Sequence, residues 1–320
     1  MGRGDPHRAA HRRRAPRLRG RSIDVGLTGA TGALGSRLLP LLLADPDVSR
    51  VRSVARRPLA VTDPKLVHTQ ADLRDPAARS ALKDVDVLWH LGFQLWRAGS
   101  RNELGDVNIV GTRNVLDAGP ARVVFASSAS VYGAWPDNPL PLAESDLARP
   151  NVECPYAAQK LEAEGLCAAA APTISLRIAA VLGDHSDPQV RKAAARYKMV
   201  VPAVKGVRQA LQFLDEDDVA AALHCAGTSD ATGVFNVATD DWLAETDIAS
   251  IAGSRILRLP LRLTLGVAEV AARARFLPFG ADRACMLNGP LALSPKAAEK
   301  SLGWKPTKTS TEVLREFLAR

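Results

Sequence analysis

A tyrosine and a lysine stand four residues apart in the stretch PYAAQK, as Tyr156 and Lys160. On a helix, residues at this spacing lie on one face, so both side chains would point the same way. A tyrosine hydroxyl has an ordinary pKa near ~10 and needs a neighbouring positive charge to act as an acid or base near neutral pH. The pair also occurs by chance on surface helices, so its surroundings must decide whether it does acid–base chemistry.

A glycine-rich segment near the start of the chain, VGLTGATGALGSRLL, lies between a predicted strand and a predicted helix. Glycines at this spacing permit a tight turn, a close approach of the backbone to a pyrophosphate, and close packing of helix on strand. The N–H groups at the helix N-terminus then hold the anion. A plain glycine-rich turn is the alternative. We predict a dinucleotide-binding loop formed by Gly29, Thr31, Gly32, Ala33, Leu34 and Gly35.

The elements that would position these residues alternate along the first half of the chain. Apolar runs such as IDVGLTG, VRSVA, VDVLWHL, ARVVFASS and TISLRIA predict buried strands, and ELGDVNIVGTRNVLDAG predicts one of the helices between them. The alternation predicts an α/β fold of the Rossmann type with a doubly wound parallel sheet. We expect a basic tail over 1–22, a dinucleotide-binding domain over 23–180, and a smaller, partly helical substrate-binding region over 181–320 that is partly interleaved with the core.

The second predicted strand ends in two arginines, Arg56 and Arg57, and no acid stands there. An acid at this position favours a cofactor with free ribose hydroxyls, whereas arginine favours a 2′-phosphate. The sequence therefore favours NADP, with NAD as the alternative, unless both arginines are simply solvated. Asp72 and Leu73, after the third strand, are expected at the adenine edge.

The strand ARVVFASS ends in Ser127 and Ser128, and Ser130 follows. Ligands of parallel α/β sheets bind outside the carboxyl ends of the strands. Ser128 is therefore expected in the same crevice as the glycine loop. Since the helix of Tyr156 and Lys160 comes next, these three residues favour the acid–base hypothesis.

Ten stretches occur in an order that resembles the extended short-chain dehydrogenase/reductases, also called the epimerase/dehydratase family. They lie within residues 23–307 and are TGATGALG, DLRD, HLGF, NIVGTRNVL, SSASVYG, PYAAQK, LRIAAVLG, FLDEDDVA, FNVA and SPKAAEKSLGWKP. The resemblance implies that Tyr156 is the general acid/base, and that Lys160 favours its tyrosinate and holds the nicotinamide ribose. Ser128 would bind the substrate oxygen, with Ser130 as the runner-up. Hydride would pass between the nicotinamide and a substrate carbon that bears oxygen.

The resemblance also places Asn108, Leu91, Gly92 and Phe93 beside the cofactor, although a helix-packing role for Asn108 is the alternative. His90 is expected to be structural rather than catalytic. The resemblance further implies a homodimer, often built with the helix of the tyrosine and lysine in the interface.

The chain departs from family members that act on nucleotide-diphosphate sugars. Their asparagine and tyrosine after the sixth strand are Ala180 and Leu182 here, and their usual diphosphate-binding arginine is Leu211. A diphosphate needs charge-assisted, often bidentate donors, so the loss of these groups weakens the sugar-nucleotide interpretation.

Three aromatic residues beside the crevice motifs, Phe93, Trp96 and Trp135, suggest an apolar substrate pocket, with core or rim packing as the alternative. We therefore hypothesise an NAD(P)-dependent oxidoreductase acting on a carbonyl or alcohol of a small, fairly apolar substrate. The alternatives are a nucleotide-sugar epimerase or dehydratase, and a dinucleotide-sensing regulator without turnover.

The distribution of charge and cysteine limits which partners and which cellular compartment the sequence predicts. Residues 1–22 hold eight arginines and one acid, so their net charge of +7 accounts for nearly all of the +8 of the chain. This tail is expected to be disordered, so neither nucleic acid nor membrane is expected as a partner. The alternatives are an arm attracted to nucleic acid or membrane, a mis-assigned start codon and a transit peptide. Four scattered cysteines fit reduced thiols in the cytoplasm and no metal site. No spanning helix is expected, and residues 261–280 predict an amphipathic helix.

Overall fold

The computed structural model describes residues 22–95, 105–277 and 280–320. Its strands are β1 (Ile23–Thr28), β2 (Val48–Ala55), β3 (Leu66–Gln70), β4 (Val87–His90), β5 (Val123–Ser128), β6 (Thr173–Ile178), β7 (Ala180–Leu182), β8 (Val200–Val204), β9 (Phe213–Asp215), β10 (Gly233–Val237) and β11 (Arg255–Leu259). Its α-helices are α1 (Ala33–Ala44), α2 (Pro76–Ala81), α3 (Gly111–Leu116), α4 (Pro155–Ala170), α5 (Pro188–Ala195), α6 (Glu216–Thr228), α7 (Glu245–Ala252), α8 (Leu261–Arg273), α9 (Ala281–Ala284), α10 (Lys296–Leu302) and α11 (Ser310–Ala319).

Seven strands form the central sheet, in the order β10-β6-β5-β4-β1-β2-β3. Every neighbouring pair in it is parallel. The sheet confirms the predicted α/β fold. Its edge strand β10 comes from the C-terminal half of the chain, so the sheet extends past residue 180, and the predicted domain boundary there stays a prediction.

Both faces of the sheet are covered, which explains why its strands read as continuous apolar runs. β4, β5 and β6 are buried along almost their whole length. One hydrophobic core joins the sheet to α1 and α6 through residues such as Leu38 and Leu223. A second core joins the opposite face to α2, α3 and α4 through residues such as Ala78, Val115 and Cys167.

The long helix predicted over 103–119 is present over residues 105–116 of the described chain, with an irregular start. The described portion has a π-helical turn at Asp106–Val110, and the regular helix α3 begins only at Gly111. The turn lies where the side chain of Asn108 bonds to the backbone of Gln94, and where the Thr112 hydroxyl donates to the Asn108 carbonyl. Such turns often occur at functional sites.

The C-terminal region adds two small parallel sheets, β7 with β9 and β8 with β11. The amphipathic helix predicted over 261–280 corresponds to α8, which buries Thr264 and Ala268 but leaves Val267 and Val270 exposed. In the described part of the chain no helix has the length and apolarity to cross a bilayer. Residues 1–21 of the predicted tail lie outside the described residues.

Candidate active site

Helix α4 brings Tyr156 and Lys160 to the carboxyl end of β5. Pro155 occupies its first turn, where a missing backbone N–H has no cost and the fixed φ favours helix. Ser128, the last residue of β5, lies close enough to the hydroxyl of Tyr156 to lower the pKa of the tyrosine. Burial nevertheless raises the pKa of Tyr156 to about 12. The structure thus brings the predicted serine, tyrosine and lysine together.

Ser128 is held in place by the turn that follows it. It caps the 3₁₀ turn Ala129–Tyr132, where its Oγ accepts from the backbone N–H of Ser130 at 3.2 Å. The hydroxyl of Ser130 also donates to Ser128 Oγ, at 2.9 Å. Ser130 is therefore a supporting contact of Ser128, and its predicted role in substrate binding stays a prediction.

Lys160 lies in a cage of backbone and aromatic groups. It is only 3% exposed, and its ammonium donates to the carbonyl of Ala126. The ammonium also lies 3.8 Å from the ring centroid of Phe93 and 4.7 Å from that of Phe125. Burial lowers the pKa of Lys160 to about 7. The lysine is thus poised between its charged and neutral forms near neutral pH.

A buried ion pair fixes α4 on the sheet. Glu164, one turn beyond Lys160, accepts from Arg177 of β6 at 2.8 and 3.1 Å, and the Ser127 hydroxyl donates to the same carboxylate. Both charged side chains are less than one-tenth exposed. This network was not predicted from the sequence, because nothing in the spacing of these residues indicates that they pair across two elements.

The glycine loop has the shape that a pyrophosphate requires. Gly29 has φ +75°, and a Cβ there would lie 2.8 Å from the backbone nitrogen of Gly92. A Cβ on Gly35 would lie 2.8 Å from Ala30 Cα and closer still to the carbonyl oxygen of Gly29. Only glycine fits both positions. The cradle that follows, over Thr31, Gly32, Ala33 and Leu34 at the start of α1, fits the phosphates of a dinucleotide.

The two arginines after β2 lie beside this loop. Arg56 and Arg57 are both exposed, and the guanidinium of Arg57 donates to the carbonyl of Thr31. Asp72, predicted at the adenine edge, is bound to Arg74 at 2.8 Å, and this hydrogen bond lowers the pKa of the Asp72 carboxyl. Leu73 is buried and underlies Gly92.

The segment after β4 is tied to the first strand. The hydroxyl of Thr28 accepts from the backbone N–H groups of Leu91 and Gly92 at 3.1 and 3.0 Å. His90 bridges Thr28 and Thr112, each at 2.8 Å, and burial lowers its pKa to about 3. His90 is therefore a neutral link between elements, in line with its expected structural role.

Asn108 joins this segment to α4. Its amide donates to the carbonyl of Gln94 at 3.1 Å and to Gln159 of α4 at 2.8 Å. Those contacts are the helix-packing role that the sequence analysis left open. A contact of Asn108 with the cofactor stays a prediction.

The aromatic residues predicted near the substrate have different environments. Phe93 packs edge-on against Tyr156, with ring centroids 5.8 Å apart. Trp135 donates to the carbonyl of Arg149 at 2.7 Å, and that guanidinium lies 5.6 Å from its ring. Trp96 lies outside the described residues. Only Phe93 of the three is thus seen against the acid–base group.

One residue at the tyrosine was missed. Arg283 of α9 lies with its guanidinium carbon 4.6 Å from the ring centroid of Tyr156. It stands in a region with weak periodicity, far along the chain from α4, so no sequence signal pointed to it. Among the described residues no cluster of three metal-ligating side chains is present.

The three residues that differ from the sugar-nucleotide enzymes lie in β7 and just before β9. Ala180 is exposed at the start of β7, whereas Leu182, at its end, is buried. Leu211 pairs with Leu243 through two backbone hydrogen bonds. Arg208, the nearby cation, is exposed.

Comparison with known proteins identifies the family that has this fold and this arrangement of site residues. The model of the NAD-dependent epimerase/dehydratase family matches residues 25–238, so the chain belongs to that family. MoeE5, solved with UDP-glucuronic acid and NAD, is 25% identical, with a TM-score of 0.71 over 93% of this chain and 99% of MoeE5. The resemblance predicted from the motifs is confirmed.

Two other proteins are similar to this chain over different lengths. An uncharacterised protein of Sinorhizobium fredii, y4nG, is 25% identical over 316 residues, which span 93% of this chain and 78% of that protein. Sterol demethylase protein B of Methylococcus capsulatus is 42% identical over 119 residues, or 34% of this chain and 36% of that protein.

Proposed function

We propose that this protein is an NAD(P)-dependent oxidoreductase that interconverts a carbonyl and an alcohol on a small, fairly apolar substrate. The single observation that carries the proposal is the meeting of Ser128, Tyr156 and Lys160 at the carboxyl end of β5, beside a loop that only glycines can form. Family membership supports nicotinamide chemistry at this site.

Each of the three side chains has a distinct task. Ser128 lies beside the Tyr156 hydroxyl, so a substrate oxygen bound there would lie within reach of both groups. Tyr156 gives its hydroxyl proton to the substrate oxygen in reduction and takes it back in oxidation. Lys160 holds the cofactor ribose and, when charged, favours the phenolate. The nicotinamide, when bound, supplies or accepts the hydride.

We propose NADP as the preferred cofactor. Arg57 reaches the carbonyl of Thr31 in the phosphate-binding loop, and Arg56 stands beside it at the same strand end. A 2′-phosphate would meet two guanidinium groups there. Solved relatives such as MoeE5 hold NAD, so the proposal requires measured dissociation constants for both cofactors.

The proposal of an apolar substrate depends on two features: the absence of side-chain donors for a diphosphate at three positions, and an aromatic ring beside the tyrosine. Ala180, Leu182 and Leu211 offer no donor to a diphosphate, and Phe93 packs on the acid–base tyrosine. The similarity to sterol demethylase protein B, over about a third of the chain, agrees with an apolar substrate.

Replacing Tyr156 with Phe tests the proposal. The variant should lose turnover of a carbonyl panel, followed by NADPH absorbance, because it lacks the proton that moves, while cofactor binding by calorimetry stays measurable. Tyr197→Phe is the matched control, since that ring packs on Phe213 in another part of the molecule. Undiminished activity of Tyr156→Phe would rule out the assigned role.

A nucleotide-sugar epimerase or dehydratase is the second candidate, favoured by the full-length similarity to MoeE5. Saturable binding of UDP-sugars in calorimetry would support it, and flat titrations would remove it. Tight cofactor binding without hydride transfer to any substrate would favour a dinucleotide-sensing regulator. We also propose a cytoplasmic homodimer, which light scattering and cell fractionation can check.

A further inference from the structure

Arg283 is the feature of the site that the proposed mechanism leaves unused. Its guanidinium lies over the ring of Tyr156, with the carbon 4.6 Å from the ring centroid. Two further contacts hold it there: one nitrogen donates to the carbonyl of Leu95 at 2.9 Å, and another lies 3.8 Å from Cys154 Sγ. The cation is therefore tied to segments on two sides of the tyrosine.

Lys160 is less well placed to act on the tyrosine in this structure. Its ammonium is 5.7 Å from the Tyr156 ring centroid, donates to the carbonyl of Ala126, and is covered by Phe93. Burial also lowers the pKa of Lys160 to about 7, so its charge is partial near neutral pH. A guanidinium stays protonated throughout this range. Of these two cations, Arg283 has its charged group nearer to the centroid of the Tyr156 ring, and its charge is permanent.

We propose that Arg283 is a positioning residue that favours the phenolate form of Tyr156, so that two cations rather than one set its acid–base behaviour. A cation over the face of an aromatic ring is attracted to it, and the attraction grows when the ring becomes negative. This inference rests on the proposed function for its meaning in catalysis, but not for its physical basis.

The other groups that face Tyr156 set the background against which Arg283 acts. Burial raises the tyrosine pKa most, and the Cys154 thiol and the Asp187 carboxylate at the start of α5 raise it further. Arg283 and the Ser128 hydroxyl lower it. The Arg283 guanidinium also lies 3.8 Å from the sulfur of Cys154 and lowers the pKa of that thiol. Arg283 therefore opposes nearby negative charge as well as burial.

The experiment titrates the tyrosine itself. The chain has three tyrosines, so protein labelled with ¹³C at tyrosine Cζ gives three signals, and Tyr156→Phe identifies the relevant one. With a pKa of about 12, roughly one tenth of Tyr156 is phenolate at pH 11. Arg283→Gln should raise the pKa by at least about one unit, which leaves roughly one hundredth. Arg283→Lys should restore part of the difference.

Two controls separate this effect from damage to the fold. Arg273→Gln removes the same charge from the exposed neighbouring helix α8 and should leave the Tyr156 titration unchanged. Circular dichroism and thermal unfolding of each variant show whether the structure persists at the pH of measurement. If a variant unfolds below pH 11, the pH dependence of kcat/KM for alcohol oxidation replaces the titration. Its acid limb should shift by about one unit toward higher pH in Arg283→Gln relative to the wild type.

The outcomes distinguish this inference from the proposed function. Coincident Tyr156 titrations, or coincident pH profiles, in the wild type and Arg283→Gln would overturn the role of Arg283. A shifted titration in a protein that turns over no substrate would support that role and count against the oxidoreductase proposal.

Discussion

Replacing Lys160 with Met should stabilise the cofactor-free protein, and increasingly so as the pH falls. Burial lowers the pKa of Lys160 from 10.5 to about 7, a difference worth about 5 kcal/mol at ~1.36 kcal/mol per unit. The full cost of burying the charge applies below pH 7, where the folded lysine is protonated. Loss of the hydrogen bond to Ala126 offsets about 1–2 kcal/mol of the gain.

The pH dependence gives the sharper result. Between about pH 7 and pH 10.5 the unfolded chain binds a proton at Lys160 that the folded protein does not, so stability rises with pH. From pH 6 to pH 9 the wild type should gain about 2.5 kcal/mol relative to Lys160→Met.

Urea unfolding at the two pH values measures this difference directly. Comparison of wild type and variant cancels the contributions of all other titrating groups. Lys83→Met, which removes an exposed lysine, should show no such divergence. If the wild type and Lys160→Met keep a constant difference across pH, the lysine is not desolvated, and the reasoning from its burial is wrong.

Three further predictions concern the loop, the ion pair and the cofactor. Gly35→Ala should abolish NAD(P) binding in calorimetry, because the new Cβ would clash with the backbone of Gly29. The control Gly165→Ala places its Cβ in open space on α4 and should raise the free energy of unfolding by about 1 kcal/mol. Glu164→Gln should cost about 3–5 kcal/mol in urea unfolding, because it leaves the Arg177 guanidinium buried without its counterion; Glu164→Leu with Arg177→Met should recover much of that loss. Arg57→Ala should weaken NADPH binding about tenfold or more while NADH binding changes little, and equal losses for both cofactors would contradict the 2′-phosphate proposal.

Much of the site could be predicted because it depends on local pattern and parallel topology. The glycine spacing determines the loop, and strands that end at one edge of a sheet bring Ser128 to Tyr156. The spacing of Tyr156 and Lys160 places both side chains on one face of α4. These features depend on nearest neighbours along the chain or on one rule of sheet geometry.

What could not be predicted depends on packing between distant segments. Arg283 reaches Tyr156 only because α9 folds back over α4. The π-helical turn at Asn108 occurs where its side chain bonds to the backbone of Gln94. The spacing of apolar residues along the helix does not indicate such a turn. Strand β10 joins the sheet beside β6 although nothing in GVFNVAT distinguishes it from the other short apolar segments.

The position of β10 has a consequence for synthesis of the protein. A ribosome makes β1 to β6 well before β10, so a sheet formed by the first six strands would leave the backbone donors and acceptors of β6 unpaired at its edge. An open edge of this kind can pair with a neighbouring nascent chain. The exposure of β6 ends when Gly233–Val237 is made and pairs with it.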